Sequence, residues 1–162
     1  MFHTFFLENG GNANKSGGTH GVTPLHMAVV NSGIHGHTLT RLLLEYGGNP
    51  NITDLQKLTP LHVAIINKND QLRLEIIKQL LEKGGNANAG DKEGRTPVHY
   101  IIVDKRSNSL EVLKLLLKHG GNILQENHQD LTPHRLATQR GNKDYCLPEV
   151  KKHIERTYRK MK

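Results

Sequence analysis

The sequence has few of the residues that stabilise a compact globule through bulky side chains or covalent cross-links. It contains no Trp, three Phe and four Tyr, so aromatic residues make up only 4% of its 162 residues. Because aromatic side chains contribute the largest buried areas of most globular cores, this composition favours an aliphatic core between packed helices. The single Cys146 excludes an internal disulfide and a metal site built from several cysteines. It is compatible with a reducing compartment.

Long apolar runs and targeting signals are also missing. No stretch of the chain approaches the roughly 18 consecutive apolar residues that a membrane-spanning helix needs. Residues 1–9 have neither the basic region nor the cleavage site of a secretory signal peptide. We therefore expect neither a transmembrane segment nor a secretory leader, and we expect a cytoplasmic protein.

The positive charge of the chain is confined to one segment. The formal net charge is +7, and residues 132–162 hold nine basic and three acidic side chains. Residues 1–131 hold thirteen basic and twelve acidic side chains, so they are close to neutral. A net charge spread over a whole fold favours anionic partners, but here the charge belongs to the C-terminal segment alone.

Two short strings recur along the chain in the same phase. The strings TPLHMA, TPLHVA, TPVHYI and TPHRLA begin at residues 23, 59, 96 and 132, at intervals of 36, 37 and 36 residues. A second, leucine-rich string that ends in Gly-Gly-Asn follows the first three of them and ends at Asn49, Asn86 and Asn122. A partial copy, FFLENGGN, ends at Asn12. Matching phase in two strings indicates an internal structural repeat.

The residues of one repeat predict a pair of helices and a connecting loop. Thr suits the N-cap of a helix, and the Pro that follows suits its first position. A second helix carries apolar residues at helical spacing, as in Leu74, Ile77, Leu80 and Leu81, and Gly-Gly ends it with a left-handed cap. Residues 86–95 then predict an extended turn. Such a helix pair buries its apolar face only by stacking on its neighbours.

These strings resemble the ankyrin repeat, and the resemblance covers nearly the whole chain. It implies an all-α solenoid of helix-turn-helix units joined by hairpin-like loops. The expected organisation is one domain over residues 1–162, made of a partial unit (1–22), three repeats (23–58, 59–95, 96–131) and a C-terminal capping repeat (132–162). Asp91 and Gly94 occupy the family's loop positions, whereas Lys57 replaces the glycine. The turns between helices, such as residues 31–37, are longer than usual, as in ankyrin proteins of intracellular bacteria or poxvirus-like proteins.

The resemblance implies a non-catalytic scaffold that binds a partner protein, which would be a host protein if the chain is an effector acting in the host cytosol. In the family, partners lie on the concave face and at the loop tips. The positions of this sequence that match those surfaces are Val30, Asn31, Leu55, Gln56, Lys57, Leu58, Ile66, Asn67, Lys92, Glu93, Arg95, Val103, Asp104, His128, Gln129 and Arg140. Several are apolar, and exposed apolar residues are typical of a partner surface.

The two ends of the chain allow more than one interpretation. All three Phe residues (Phe2, Phe5 and Phe6) lie in the partial first unit, where they either cover the end of the stack or support self-association. The last segment contains a basic tail, Lys151, Lys152, Arg156, Arg159, Lys160 and Lys162. It is either the polar outer face of a capping helix or a patch that binds nucleic acid or an anionic surface.

No motif predicts catalysis, a metal or a cofactor. The repeated His26, His62 and His99 are expected to hold neighbouring turns together, and His35 and His37, expected in a turn, lack further metal ligands. Residues 10–16 resemble a phosphate-binding loop only weakly. Asp91 and Glu93 are expected at a water-exposed loop tip, where nothing would raise a carboxyl pKa for acid–base chemistry. Asn51 and Asn88 are expected to hydrogen-bond within their own loops.

Overall fold

A computed structural model describes residues 11–31, 33–67 and 72–141, together with residues 150, 152, 155, 156 and 159 of the C-terminal segment. Seven helices lie within residues 11–141, and the only β contact among the described residues is an isolated bridge between Gly17 and Val22. The helices are α1 (Pro24–Val30), α2 (Ile34–Glu45), α3 (Pro60–Ile66), α4 (Arg73–Glu82), α5 (Pro97–Ile101), α6 (Ser109–Lys118) and α7 (Pro133–Gln139). The predicted all-α repeat fold is thereby confirmed.

The chain forms two compact units. The first, Met1–Asn86, contains α1 to α4, and the second, Ala87–Lys162, contains α5 to α7. In the first unit α1 packs on α2 and α3, and α4 packs on α2 and α3; in the second unit α5 packs on α6 and α7. The organisation into one domain stays a prediction. Within the described ranges, each helix is either too short or too polar to span a bilayer.

The first helix of each repeat begins at its Thr-Pro pair, as predicted. Thr23, Thr59, Thr96 and Thr132 are N-caps with extended backbones, and each is followed by a proline at the first helical positions. In α1 the Thr23 hydroxyl accepts a hydrogen bond from the His26 backbone N–H at 3.4 Å. The His26 ring accepts one in return from the Thr23 N–H at 3.2 Å. This reciprocal cap satisfies backbone donors that the helix itself leaves unpaired.

The second helix of each of the first three repeats ends at its Gly-Gly pair. Gly47, Gly84 and Gly120 have φ values of 79°, 85° and 83°, the left-handed region that favours glycine. The next glycine N–H then bonds back into the last helical turn, as Gly85 does to the Leu80 carbonyl at 2.8 Å. A Cβ on Gly85 would lie 2.7 Å from that same oxygen. The pair therefore forms the predicted C-cap: the backbone of the first glycine disfavours a side chain, and the second glycine has no room for one.

The core between the helices is aliphatic, as the shortage of aromatic residues predicted. In the part of the chain that the structure describes, the residues that are at most 2% exposed include Leu25, Ala28, Leu61, Ile65, Ile76, Ile77, Leu80, Val98, Ile101 and Leu116. Truncation of one such Leu or Ile to Ala costs about 2–5 kcal/mol of stability, because it removes buried area and leaves a cavity.

One boundary differs from the sequence interpretation. Residues 31–37 were expected to form a turn, but α2 begins at Ile34, so His35 and His37 lie in its first turn. A tertiary contact explains this: a Cβ on Gly36 would lie 2.6 Å from the Ala28 carbonyl oxygen of α1. The missing side chain lets the start of α2 approach α1 closely, and Gly36 is buried in this contact.

The loops that precede each Thr-Pro pair share one backbone design. The Oδ1 atom of Asp54 accepts hydrogen bonds from the N–H groups of Gln56 at 2.8 Å and Leu58 at 2.9 Å. Asp91 and Asn127 make the same two contacts in their own loops. Three residues after this side chain the backbone is left-handed, at Lys57, Gly94 and Asp130. A short acceptor followed by a positive φ thus defines each loop tip.

Candidate functional site

In the first unit, α1 and α3 are held side by side at both ends. Near their N-termini, the His26 Nε2 atom lies 3.0 Å from the Leu58 carbonyl oxygen. Near their C-termini, the Asn67 amide donates to the carbonyl oxygens of Val29 at 3.2 Å and Val30 at 2.9 Å. These bonds set the register of the two helices, so equivalent residues lie beside each other.

Between these contacts lies an apolar face that solvent reaches. Met27, Val30 and Ile66 are 51%, 50% and 42% exposed, and Val63 is half-buried. The other sides of α1 and α3 carry the buried residues that pack on α2 and α4. We refer to Met27, Val30, Val63 and Ile66 as the α1–α3 apolar face. Exposed aliphatic side chains grouped in this way are typical of a protein-binding surface.

The first-unit residues predicted to bind a partner occupy different environments. Asn31 is exposed beyond the end of α1, and Leu58 is half-buried between its loop and α3. Asn67 is half-buried, and its amide is already used to hold α1. The structure thus brings Val30, Asn31 and Ile66 together on one surface. It gives Asn67 an internal role as well, since its side chain caps α1.

The loop tip of the first unit is also exposed. Leu55, Gln56 and Lys57 all face solvent, and Leu55 is 59% exposed. The Leu55 N–H donates to the His20 carbonyl oxygen at 3.0 Å, which ties this tip to the preceding loop. The predicted tip residues are therefore held by backbone hydrogen bonds while their side chains stay available to a partner.

In the second unit, the Asp91 carboxylate organises a polar cluster. It accepts a hydrogen bond from the Tyr100 hydroxyl at 2.6 Å and one from the Arg95 Nε at 2.9 Å. The Arg95 Nη2 also donates to Glu93 at 2.7 Å, and its guanidinium lies 5.1 Å from the centre of the Tyr100 ring. The cluster fixes the position of Arg95, one of the residues predicted to bind a partner.

Asp91 corrects the expectation of a water-exposed carboxylate at this tip, because it is only 3% exposed. Burial by itself raises the pKa of Asp91, but the hydrogen bonds from Tyr100 and Arg95 outweigh it and hold the pKa below the usual range. Burial, and then the hydrogen bond to Asp91, raises the pKa of Tyr100 far above 10. The carboxylate is therefore a fixed anion with a structural role, which is the opposite of an acid poised for catalysis.

The remaining second-unit residues lie at loop tips and at the ends of helices. The tip residues Lys92, Glu93, His128 and Gln129 are exposed, and so is Arg140 at the end of α7. Val103 and Asp104, which follow α5, are half-buried. Asp104 forms an ion pair with Arg106 at 2.7 Å. A partner of Asp104 would have to compete with this neighbouring guanidinium, so the loop tips are the more accessible part of the second unit.

Sequence reasoning missed three exposed apolar residues and one polar anchor. Met27, Ile34 and Tyr46 are 51%, 67% and 42% exposed, and Tyr100 anchors the Asp91 cluster. The signal for Met27 was present, since it lies one helical turn before Val30 and shares its face. Ile34 and Tyr46 gave no such signal, because their exposure depends on how α2 packs.

The repeated histidines are buried and hold neighbouring turns together through hydrogen bonds. The His26 and His99 rings each accept from their own Thr backbone N–H through Nδ1 and lie 3.0 Å from the carbonyl of Leu58 or Leu131 through Nε2. Burial lowers the pKa of both rings. His35 and His37 are two residues apart in a helix, so their side chains point in different directions. Across the described ranges, no group of three or more metal-ligating side chains comes together.

The C-terminal segment is described only at separate positions. Lys152, Arg156 and Arg159 are helical and exposed, whereas Val150 is only 1% exposed. Glu155 is exposed as well, so these positions present three basic side chains and one acidic side chain to solvent. The other predicted residues of the ends lie outside the described residues: Phe2, Phe5, Phe6, Cys146, Lys151, Lys160 and Lys162.

Comparison with known proteins gives the same result as the fold. The family model "Ankyrin repeats (3 copies)" matches residues 2–84 and 69–147. An ankyrin repeat protein of fowlpox virus (strain NVSL) is 39% identical over 59 residues, which is 36% of this chain and 11% of that protein. The human transient receptor potential cation channel subfamily A member 1 is 32% identical over 128 residues, 79% of this chain and 10% of the channel subunit.

The chain therefore spans about a tenth of the length of these two relatives. The family match, by contrast, covers most of the chain, and the capped helix pairs provide its structural counterpart. Ankyrin repeats generally mediate protein–protein interaction, and the family typically consists of non-enzymatic interaction scaffolds. From its repeated caps, its helix pairs and the family match, this chain belongs to the ankyrin-repeat family.

Proposed function

We propose that this chain is a non-catalytic scaffold that binds a partner protein through the α1–α3 apolar face and through its loop tips. The observation that carries the proposal is the α1–α3 apolar face, where Met27, Val30 and Ile66 are 51%, 50% and 42% exposed. Keeping aliphatic side chains in water forgoes roughly 25 cal/mol per Å² of burial, and contact with a partner would recover it. The exposed loop tip around Lys57, in the same unit, adds polar contacts, as protein interfaces usually have at their rim.

The proposal extends to a role as an effector that acts on host proteins in the host cytosol. The repeat length of 36 to 37 residues and the similarity of part of the chain to a fowlpox virus ankyrin repeat protein support it. A host-directed scaffold would retain a discrete protein from a eukaryotic lysate. Retention of no discrete protein from that lysate would contradict the host-directed role.

A second function rests on the basic tail. Lys152, Arg156 and Arg159 are exposed on one segment, so this segment is a candidate for binding nucleic acid or an anionic surface. Such binding weakens steeply with salt, because each neutralised phosphate releases counterions. Binding through the apolar face depends far less on salt, so salt dependence separates the two functions.

Affinity capture from a nuclease-treated eukaryotic lysate tests both functions with three variants of the full chain. The first, Val30→Lys/Ile66→Lys, places two charges on the apolar face. The second, Lys152→Gln/Arg156→Gln/Arg159→Gln, neutralises the described part of the tail. The third, Thr38→Lys/Ser107→Lys, is the matched control, because it adds the same charge at exposed positions outside that face. Circular dichroism checks that every variant keeps its helices.

We expect one discrete protein that the tail and control variants retain and the Val30→Lys/Ile66→Lys variant loses. Retention of the partner by all three variants would refute a role for the α1–α3 apolar face. Material that is captured only at low salt and lost with the tail charges would assign the function to the tail. Leu58 is a poorer target for charge than Ile66, because it is half-buried and its replacement would disturb the loop.

A further inference from the structure

The α1–α3 apolar face presents its side chains in two parallel rows. Met27 and Val30 are one helical turn apart on α1, and Val63 and Ile66 are one turn apart on α3. Residues three apart on a helix share a face. The hydrogen bonds from His26 to Leu58 and from Asn67 to Val30 hold the two rows in register. Adjacent helices typically lie about 8–10 Å apart, so the rows border a shallow apolar groove.

The groove is free of charge along both of its helices. α1 and α3 contain no Asp, Glu, Lys or Arg, and their histidines, His26 and His62, are buried. A charged side chain of an occupant would lose its hydration in the groove and find no charged partner on α1 or α3. Burial of an unpaired charge costs free energy. The groove therefore selects an occupant whose contacting residues are apolar.

The loop at one end of the groove carries an exposed lysine. Lys57 is exposed and immediately precedes Leu58, whose carbonyl marks the N-terminal end of the rows. The nearby carboxylate, Asp54, is half-buried, and its Oδ1 accepts the N–H groups of Gln56 and Leu58. An occupant with an acidic end would therefore meet the ammonium of Lys57, whereas a basic end would be repelled by it.

The second unit does not repeat this character. Its residue equivalent to Met27 and Val63 is Tyr100, which is bonded to Asp91 and stacked with Arg95. Its residue equivalent to Asn67 is Asp104, which is paired with Arg106. An apolar occupant is accordingly matched to α1 and α3.

We propose that the α1–α3 apolar face binds an amphipathic helix of the partner, with its apolar stripe in the groove and its acidic end against Lys57. Apolar residues at helical spacing, i, i+3, i+4 and i+7, fit two rows with the same spacing. An extended segment would add to a free sheet edge, and in the described part of the first unit the only β contact is one isolated bridge. The inference rests on the proposed function and specifies the chemistry of the partner.

The test uses three labelled synthetic peptides of about 16 residues, roughly four helical turns. The first has a leucine stripe at helical spacing and glutamates at one end, the second has lysines in place of the glutamates, and the third scrambles the first to destroy the stripe. Fluorescence anisotropy measures the binding of each peptide to the full chain. The Val30→Lys/Ile66→Lys, Thr38→Lys/Ser107→Lys and Lys57→Asn variants are measured in parallel.

We expect the acidic amphipathic peptide to bind at least tenfold more tightly than its scrambled form, and about threefold more tightly than the basic peptide at low salt, as for one partly exposed charge pair. The Val30→Lys/Ile66→Lys variant should lose at least tenfold in affinity, and the control variant should not change. Lys57→Asn should abolish the preference for the acidic peptide. Asparagine tolerates the left-handed backbone at this position, so the loop is retained.

Equal binding of the stripe and scrambled peptides, or a preference for the basic peptide, would overturn the inference. A dimer seen by sedimentation and dissociated by Val30→Lys/Ile66→Lys would also overturn it, because a second copy of the chain would then cover the groove. Binding to anionic vesicles and to none of the peptides would overturn it as well. If the lysate partner depends on the apolar face while no helical peptide binds, the proposed function stands and the helical occupant is wrong. If the lysate partner ignores the apolar face, the proposed function itself fails.

Discussion

The His26 Nε2 atom lies 3.0 Å from the Leu58 carbonyl oxygen, the last one before the next Thr-Pro pair. The Nδ1 atom of the same ring accepts a hydrogen bond from the Thr23 N–H at 3.2 Å. One side chain therefore caps its own helix and holds the following loop. The arrangement requires a neutral ring with its proton on Nε2, because Nδ1 acts as an acceptor.

This geometry makes the stability of the chain depend on pH. Burial lowers the pKa of His26 and His99 from the ordinary value of 6.5, so below pH 6.5 the unfolded chain binds more protons than the folded one. The stabilisation is complete above pH 6.5 and declines as the pH falls toward the lowered folded values. We expect urea unfolding between pH 7.5 and about 5.5 to show this loss. His26→Gln/His99→Gln should flatten it, whereas Asn31→Ala, a substitution at an exposed site, should keep the wild-type slope.

Asn88 bridges two successive turns, and its removal should be costly. Its amide donates to the Gly120 carbonyl at 2.9 Å, and its Oδ1 accepts from the Asn122 N–H at 2.6 Å. Asn88→Ala removes two hydrogen bonds of about 1 kcal/mol each, so we expect a loss of about 2 kcal/mol in urea unfolding. Asn88→Asp should also destabilise, because its carboxylate would face the Gly120 carbonyl. A loss no larger than that of Asn31→Ala, an exposed control, would contradict the prediction.

Lys57 has a strained left-handed backbone, and the equivalent position of the next loop is occupied by Gly94. Its φ is 58°, and that of Gly94 is 74°. A left-handed backbone costs a residue with a side chain about 1 kcal/mol, part of which the greater freedom of unfolded glycine offsets. Lys57→Gly should therefore raise the free energy of unfolding by about 0.5 kcal/mol. Lys57→Ala, which keeps the strain, is the control, and equal effects of the two would refute the explanation.

Gly94, in contrast, cannot be replaced without a steric clash, because a side chain at this position has no room. A Cβ on Gly94 would lie 2.7 Å from the Cδ2 atom of His128, in a backbone that already has a φ of 74°. We expect Gly94→Ala to cost more than about 1 kcal/mol, from backbone strain and from displacement of the His128 ring. In a His128→Ala background the cost should shrink but persist. A cost that vanishes there would show that the backbone conformation contributes nothing.

The parts of the fold that the sequence predicted correctly depend on contacts close in the chain. The Thr caps, the prolines at the first helical positions and the Gly-Gly ends act within about four residues, so each repeat carries its own complete signal. The aliphatic core could also be predicted, because the helical spacing of core residues such as Ile77 and Leu80 depends only on the local period.

The errors arose where residues of another loop or helix decide the environment. Asp91 was expected in water, but Tyr100 and Arg95 cover and bind its carboxylate. Asn88 was expected to bond within its own loop, but its partners, Gly120 and Asn122, lie more than thirty residues along the chain. The start of α2 was misplaced because the approach of Gly36 to Ala28 is a contact between helices.

The sequence by itself thus determined the family, the helix boundaries at Thr-Pro and Gly-Gly, and the neutral character of residues 1–131, since these follow from local hydrogen bonding and composition. The resemblance anticipated the exposed Val30 and Ile66, but only the tertiary structure showed that Met27 is exposed and that Leu58 and Val103 are half-buried. Leu25 and Met27 are two residues apart on one helix, yet they are 1% and 51% exposed. The neighbouring helices cover one side of α1 and leave the other open, and that open side is the surface on which the proposed binding depends.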